Sequence, residues 1–360
     1  APEDKYEWIK QGIKFVQEGV KKNQRSPDLV WDVAWFYYHK LGFSDESIIL
    51  RRLFRDDTDE EFKTYQDPET EQLVVKHDNF QLAYGWFSRA VRLVERGFDR
   101  QLSGLEDDID YLDPMPQKKG RPGDLPFRSM PAHAQTRYAA ALEKMSILGI
   151  PATFGEVAKN EWARALREWE KFGRYEFDTP NQVPINGVLT TGRVRIDDRM
   201  HPEKFDKLSD NEQYWIDRFA SQMNYPYWKE RCQAEMTTSG VLARQLFYEG
   251  TVAYKMADFT KAAGKFREGL AIWKDVLKDF PFYSNDDLNQ KDTGLIVKRY
   301  VRVLKQSGEP IPEDMPFKEL EAVADADPTV DPFDAIEMIG VTREGTVRTG
   351  ASSGPGSPAL

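Results

Sequence analysis

The sequence predicts an all-α fold: an irregular solenoid of helix pairs, with one small extended hairpin inserted and a disordered C-terminal tail. Three observations carry this expectation. Apolar residues recur at three- and four-residue steps through most of the chain, and capping signals stand where these runs begin. One stretch of about 40 residues also carries the small and large residues of two helices packed against each other.

Composition narrows the class. The 360 residues are 40% apolar and 31% charged, a globular balance. Nine Trp, 15 Tyr and 21 Phe supply a large apolar area for burial. A net charge of −10 repels a polyanion, so no nucleic-acid partner is expected. Lys118, Lys119 and Arg121 form a basic patch that reads as loop solvation. The single cysteine, Cys232, excludes an intrachain disulfide framework. No apolar run reaches the ~18–20 residues of a membrane helix, and no signal peptide is visible. The chain begins Ala1-Pro2-Glu3-Asp4 without an initiator Met and reads as processed or as a piece of a longer protein. Its compartment stays open, cytoplasmic or envelope-associated.

Taken in order, Tyr6, Ile9, Ile13, Val16 and Val20 place a helix over 3–22. Ser26-Pro27 opens a second helix to Leu41, apolar nearly all round and stopped at Gly42. Ser44 starts a third helix, with Ile48, Leu50 and Leu53. Residues 56–78 are acidic and irregular, Asp78 caps a helix to Gly97, and 98–130 form a long loop. Helices follow over 131–148 and 153–173, the latter opened by a Thr153/Glu156 capping box. Val188, Thr190, Thr191, Val194 and Ile196 suggest an extended hairpin around Gly192. A second capping box, Ser209/Glu212, opens a run of helices at 209–223, 225–236, 239–256, 259–280 and 290–306, with a short one at 316–325. Periodicity then ends. The resulting segments are 1–97, N-terminal helices; 98–130, loop; 131–208, a central helical segment with the extended insertion; 209–326, C-terminal helices; and 327–360, a disordered tail.

The repeat signal is strongest over 239–281. Gly250 and Tyr254 lie on one helix, Asp258 and Phe259 at the turn, Ala262, Phe266 and Gly269 on the next helix, and Pro281 at its end. Small residues let the backbones approach while large ones fill the gap, as in a tetratricopeptide unit. Residues 5–54 read as a degenerate second copy, with Trp31, Val33, Ala34 and Tyr37 on its first helix and Ile49 and Leu53 on its partner.

Three blocks carry a family likeness. They are Trp31, Ala34, Trp35, Tyr37, Tyr38, His39, Lys40, Gly42, Ser44 and Asp45; then Phe154-Gly155-Glu156-Val157-Ala158 with Trp162, Ala165, Glu168, Trp169, Phe172 and Gly173; and then Asn224, Tyr225, Tyr227, Trp228, Arg231, Cys232 and Glu235. Together they resemble a family of large, uncharacterised tetratricopeptide-like proteins from planctomycete bacteria, over most of 1–320. The resemblance implies a helical-repeat fold and a preceding segment with a membrane-anchoring helix. It implies no activity.

The residues nominate no catalytic, cofactor or metal site. His39, His77, His133 and His201 are scattered, without metal-ligand spacing to one another or to Cys232. Cys232 reads as a buried, inert thiol. The acidic runs Asp56–Glu61 and Glu106–Asp113 lack the glycine and closing glutamate of a calcium loop and read as solvated charge. Gly350-Ala351-Ser352-Ser353-Gly354 matches a nucleophile-elbow string without a strand or helix around it. The candidate contact residues are aromatics expected at the surface: Tyr225, Tyr227, Trp228, Phe282 and Tyr283. The expected function is therefore a non-catalytic scaffold binding a protein or peptide. One alternative is a structural subunit of an envelope or membrane-attached assembly, anchored through a segment preceding Ala1. The other is an enzyme using carboxylates such as Glu156 or Glu235.

Overall fold

A computed structural model describes residues 1–98, 124–179 and 192–322. The described residues are mostly helical, with two small antiparallel sheets. Helix α1 (Pro2–Lys22) turns Tyr6, Ile13 and Val20 inward, as their spacing requires. The Ser26 hydroxyl accepts the Leu29 N–H (3.4 Å) at the start of α2 (Pro27–Trp35), which continues as a π-helical turn over Phe36–Lys40. Helix α3 (Ser47–Asp56) begins three residues later than Ser44 suggests, because a turn closed by the Ser47 N–H on the Ser44 carbonyl (2.8 Å) comes first.

The stretch 56–78 is not irregular throughout. A 3₁₀ turn at Glu61–Lys63 leads into β1 (Thr64–Gln66), paired antiparallel with β2 (Leu73–Val75), with Tyr65 opposite Val74. Tyr65 packs over Gly85 of α4 (Asn79–Glu95), where an added Cβ would meet the ring at 2.4 Å. Asp78 caps α4 by accepting the Phe80 and Gln81 N–H groups (2.8 and 3.3 Å).

Residues 5–54 do not close a repeat on themselves. Helix α2 packs chiefly on α4, across the hairpin, and only α4 brings buried small residues, Ala83 and Ala90, to face it. Ile49, the expected partner on α3, is 43% exposed.

The loop expected over 98–130 ends early, because α5 spans Leu125–Ala141. Pro126 sits in its first turn, where no N–H is needed, and Pro131 lies inside the helix rather than opening it. A 3₁₀ segment, Leu142–Leu148, follows. Helix α6 (Gly155–Gly173) starts without the Thr153/Glu156 box. Phe154 occupies the cap position, Gly155 turns the chain at φ +68°, the Thr153 N–H goes to the Leu142 carbonyl (3.0 Å), and Glu156 pairs with Lys159 (2.9 Å).

An extended hairpin is present, with strands β3 (Glu176–Asp178) and β4 (Arg193–Arg195) and Phe177 opposite Val194. Gly192 precedes β4, and Ile196 begins a 3₁₀ turn. Val188, Thr190 and Thr191 lie outside the described residues. So do most of the 98–130 loop with Lys118, Lys119 and Arg121, the Glu106–Asp113 run, the Gly350–Gly354 string and the 327–360 tail.

After α7 (Pro202–Phe205), the Ser209/Glu212 box forms as expected and opens α8 (Asp210–Met223). Then come α9 (Tyr225–Glu235), α10 (Thr238–Lys255), α11 (Phe259–Leu277), α12 (Pro281–Ser284) and α13 (Asp287–Ser307). The short helix expected at 316–325 is a 3₁₀ turn, Lys318–Leu320.

Helices α10 and α11 form the hairpin that the 239–281 pattern predicts. A Cβ on Gly250 would sit 3.1 Å from Phe266, and one on Gly269 would sit 2.7 Å from Phe247, so both glycines mark backbone approach. Ala262 and Phe266 are fully buried, and the Tyr254 and Phe259 rings meet at 5.8 Å. Asp258 accepts the Lys261 N–H (3.1 Å) to cap α11, and Ala257 supplies the left-handed turn residue at φ +59°. Pro281 opens α12.

Two apolar cores meet at α5. Phe127, Ala134 and Ala141 face the core built by α1–α4, and Leu125, Ala132 and Ala139 face the core built by α6–α13. From α4 onward the main packing partners follow chain order: α4 on α5, α5 on α6, α6 on α9, α10 on α11, and α11 on α13.

Candidate functional site

The aromatics expected at the surface are mostly inside. Tyr225, Tyr227, Trp228 and Tyr283 are at most 5% exposed, and only Phe282, at 37%, reaches solvent, with the Arg199 guanidinium over its ring. The reason is tertiary. Asn224, left-handed at φ +48°, turns the chain from α8 into α9, and Tyr225 fits against Gly173 of α6, where even a Cβ would collide with its hydroxyl. Helix α9 is thus enclosed despite its polar sequence, and its charges must find partners inside.

They find them around Glu235. Arg244 of α10 donates from Nε to both carboxylate oxygens (3.1 Å each) and from Nη2 to Oε1 (2.6 Å). The Tyr283 hydroxyl of α12 donates to Oε1 (3.0 Å) and accepts from Arg244 (3.0 Å). Arg231, one helical turn before Glu235, approaches Oε1 at 3.8 Å and donates to the Tyr227 hydroxyl (2.9 Å). Both guanidiniums lie on aromatic faces: Arg244 on Trp273 at 4.4 Å, and Arg231 near Trp162 and Trp228 at 5.6 Å. Glu230 accepts the Tyr283 N–H (2.9 Å), and its burial raises its pKa. This network ties α9, α10, α11 and α12 together. Beside Glu235 and Arg244, the cavity of about 20 Å³ also lined by Glu143, Thr153 and Trp162 has room for about one water.

The other reactive side chains are engaged in packing. Cys232 is fully buried against Thr136 (3.9 Å), and burial pushes its thiol up to about 12. His133 sits edge-on to Trp169 and Trp228, whose rings are parallel at 6.3 Å. Burial, with the Arg137 charge, pushes its imidazole down to about 3, so it is neutral. Trp169 donates its indole N–H to Thr136 (2.9 Å). Glu156, the other carboxylate singled out, is exposed beside Lys159. Among the described residues, no group of three or more His, Cys, Asp or Glu is placed to hold a metal. None of the described helices is long and apolar enough to cross a membrane.

The acidic run after α3 is not merely solvated. Asp57 takes the Tyr6 hydroxyl (2.6 Å) and the Lys10 ammonium (2.7 Å), and Asp59 takes Lys14. Ion pairing with Lys14 holds Asp59 down at about 2. These contacts fasten the inner side of α1.

The outer side of α1 is where the surface departs from an ordinary one. Trp8 is 74% exposed and Phe15 79% exposed, seven residues apart and therefore on one side, opposite Tyr6, Ile13 and Val20. The far end of the chain differs. The segment after α13 folds back, burying Met315 and packing Ile311 and Phe317 onto the core. Sequence reasoning tracked only the inward stripe of α1. The signal for the outer one was present, two large aromatics one heptad apart on a helix whose opposite face was already apolar.

No family model matches the chain, and no curated protein or solved structure matches it.

Proposed function

We propose that the chain is a non-catalytic scaffold, an irregular tetratricopeptide-like stack of helices that binds a protein or peptide at the bare outer face of α1. The exposure of Trp8 and Phe15 carries this reading. In a stack, each helix buries its neighbour's apolar face, and a terminal helix needs a polar outer side to stay soluble. Helix α1 presents two large aromatics there instead, the residue types favoured in contact hot spots. The chain-order packing from α4 to α13 and the close α10–α11 hairpin support the stacked description. The test is affinity capture from cells of the source organism with the natural chain and with Trp8→Glu/Phe15→Glu. Because both side chains are exposed, the variant's stability should lie within about 0.5 kcal/mol per site of the original. A partner retained by the natural chain and lost by the variant supports the reading, and identical captures from both contradict it.

A further inference from the structure

We infer that the occupant of the α1 face is the same face of a second copy, packed antiparallel. The inference rests on the reading of α1 as a contact surface. Helix α1, 21 residues long, spans about 31 Å at ~1.5 Å per residue, and its charges are polarised along that length. Glu3, Asp4 and Glu7 stand in its first two turns, against Lys5 alone. Lys14, Lys21 and Lys22 stand in its second half, against Glu18 alone. Lys10, between them, is turned inward on Asp57. Trp8 and Phe15 are placed evenly about the helix midpoint near Gln11 and Gly12.

Rotating a second copy by 180° about that midpoint sets Trp8 beside the other copy's Phe15. It also sets each acidic half against a basic half, and the helix dipoles oppose. A parallel arrangement would put acidic half on acidic half and basic half on basic half, which costs free energy. The charge pattern therefore selects a two-fold antiparallel pair, in which one patch serves both subunits.

A single helix pair buries less than the ~1,600 Å² of a standard interface, so the dimer should be a weak one. The full chain should show a monomer–dimer equilibrium in sedimentation velocity with a midpoint on the order of 1–100 µM. Trp8→Glu/Phe15→Glu should abolish it over the same range. Orientation is read by mild oxidation of single-cysteine variants, since buried Cys232 does not compete. Mixing Asp4→Cys with Lys22→Cys should give the mixed disulfide in preference to either homodimer. A chain that stays monomeric, a dimer indifferent to the two glutamates, or a preference for 4–4 and 22–22 disulfides overturns the inference. A monomeric chain whose captured partner is lost in Trp8→Glu/Phe15→Glu would overturn this inference alone and leave the contact reading standing. A monomeric chain with identical captures would overturn both.

Discussion

Glu235→Ala should destabilise the protein by about 3–5 kcal/mol, because it leaves two guanidiniums inside the molecule without their carboxylate. The loss is larger than for an exposed ion pair, where solvent takes over, and those contribute about 0–1 kcal/mol. Arg244 would keep only Tyr283 and the face of Trp273, and Arg231 would keep Tyr227. The Tyr283 hydroxyl would lose its acceptor at the same time. Glu235→Leu combined with Arg244→Met removes both charges of the tightest pair and should recover part of the loss, so the two substitutions should be non-additive. Urea unfolding of the three variants measures this. A Glu235→Ala variant within about 1 kcal/mol of the natural protein would mean that the network carries little, contrary to the typical cost of an uncompensated buried charge.

Ala262→Pro should cost about 3 kcal/mol or more. Its N–H makes the first helical bond of α11, to the Asp258 carbonyl at 3.0 Å, and a proline ring would both remove that bond and press on that carbonyl. Ala262 also faces α10 with no exposed surface, so α11 cannot tilt away without opening the hairpin. Gly264, on the same helix with no heavy atom within 4 Å of a built Cβ, is the control. Gly264→Ala should stabilise the protein by roughly 0.5–1 kcal/mol through helix propensity alone. Thermal unfolding that left Ala262→Pro unchanged would contradict the hairpin.

Where the determinant is local, the sequence announces it. Ser26, Asp78, Ser209 and Asp258 each cap the helix they precede, because a short side chain reaches a backbone N–H two or three residues on whatever the rest of the chain does. Thr153 and Glu156 have the same spacing but form no cap, since the Thr153 N–H is taken by Leu142 and Gly155 redirects the backbone. The Thr64–Val75 hairpin was invisible for a related reason. Its strands are three residues each, and the Tyr65 packing that holds it depends on Gly85, twenty residues away. The second helix of the N-terminal pair was misassigned because the chain inserts α3 and that hairpin before α4 arrives.

The contact residues failed in both directions. Tyr225, Tyr227, Trp228 and Tyr283 look like surface aromatics beside prolines, yet Gly173 and the Glu235 network draw them inside. Trp8 and Phe15 sit in a helix whose inward stripe is complete without them, and burial of one face leaves the other to solvent. Periodicity identifies a buried face reliably, but whether an aromatic off that face is covered by another element depends on the tertiary arrangement.

The central claim, that this molecule makes its contacts at the outer face of α1, is tested most directly by site-specific photo-crosslinking in living cells of the source organism. A photoreactive phenylalanine analogue would be placed at Trp8, at Phe15 or, as a control, at Met256, which is 76% exposed at the end of α10. Discrete crosslinked products from positions 8 and 15, and none from 256, are the predicted result. Crosslinks from position 256 alone, or none from position 8 or 15, would contradict the claim.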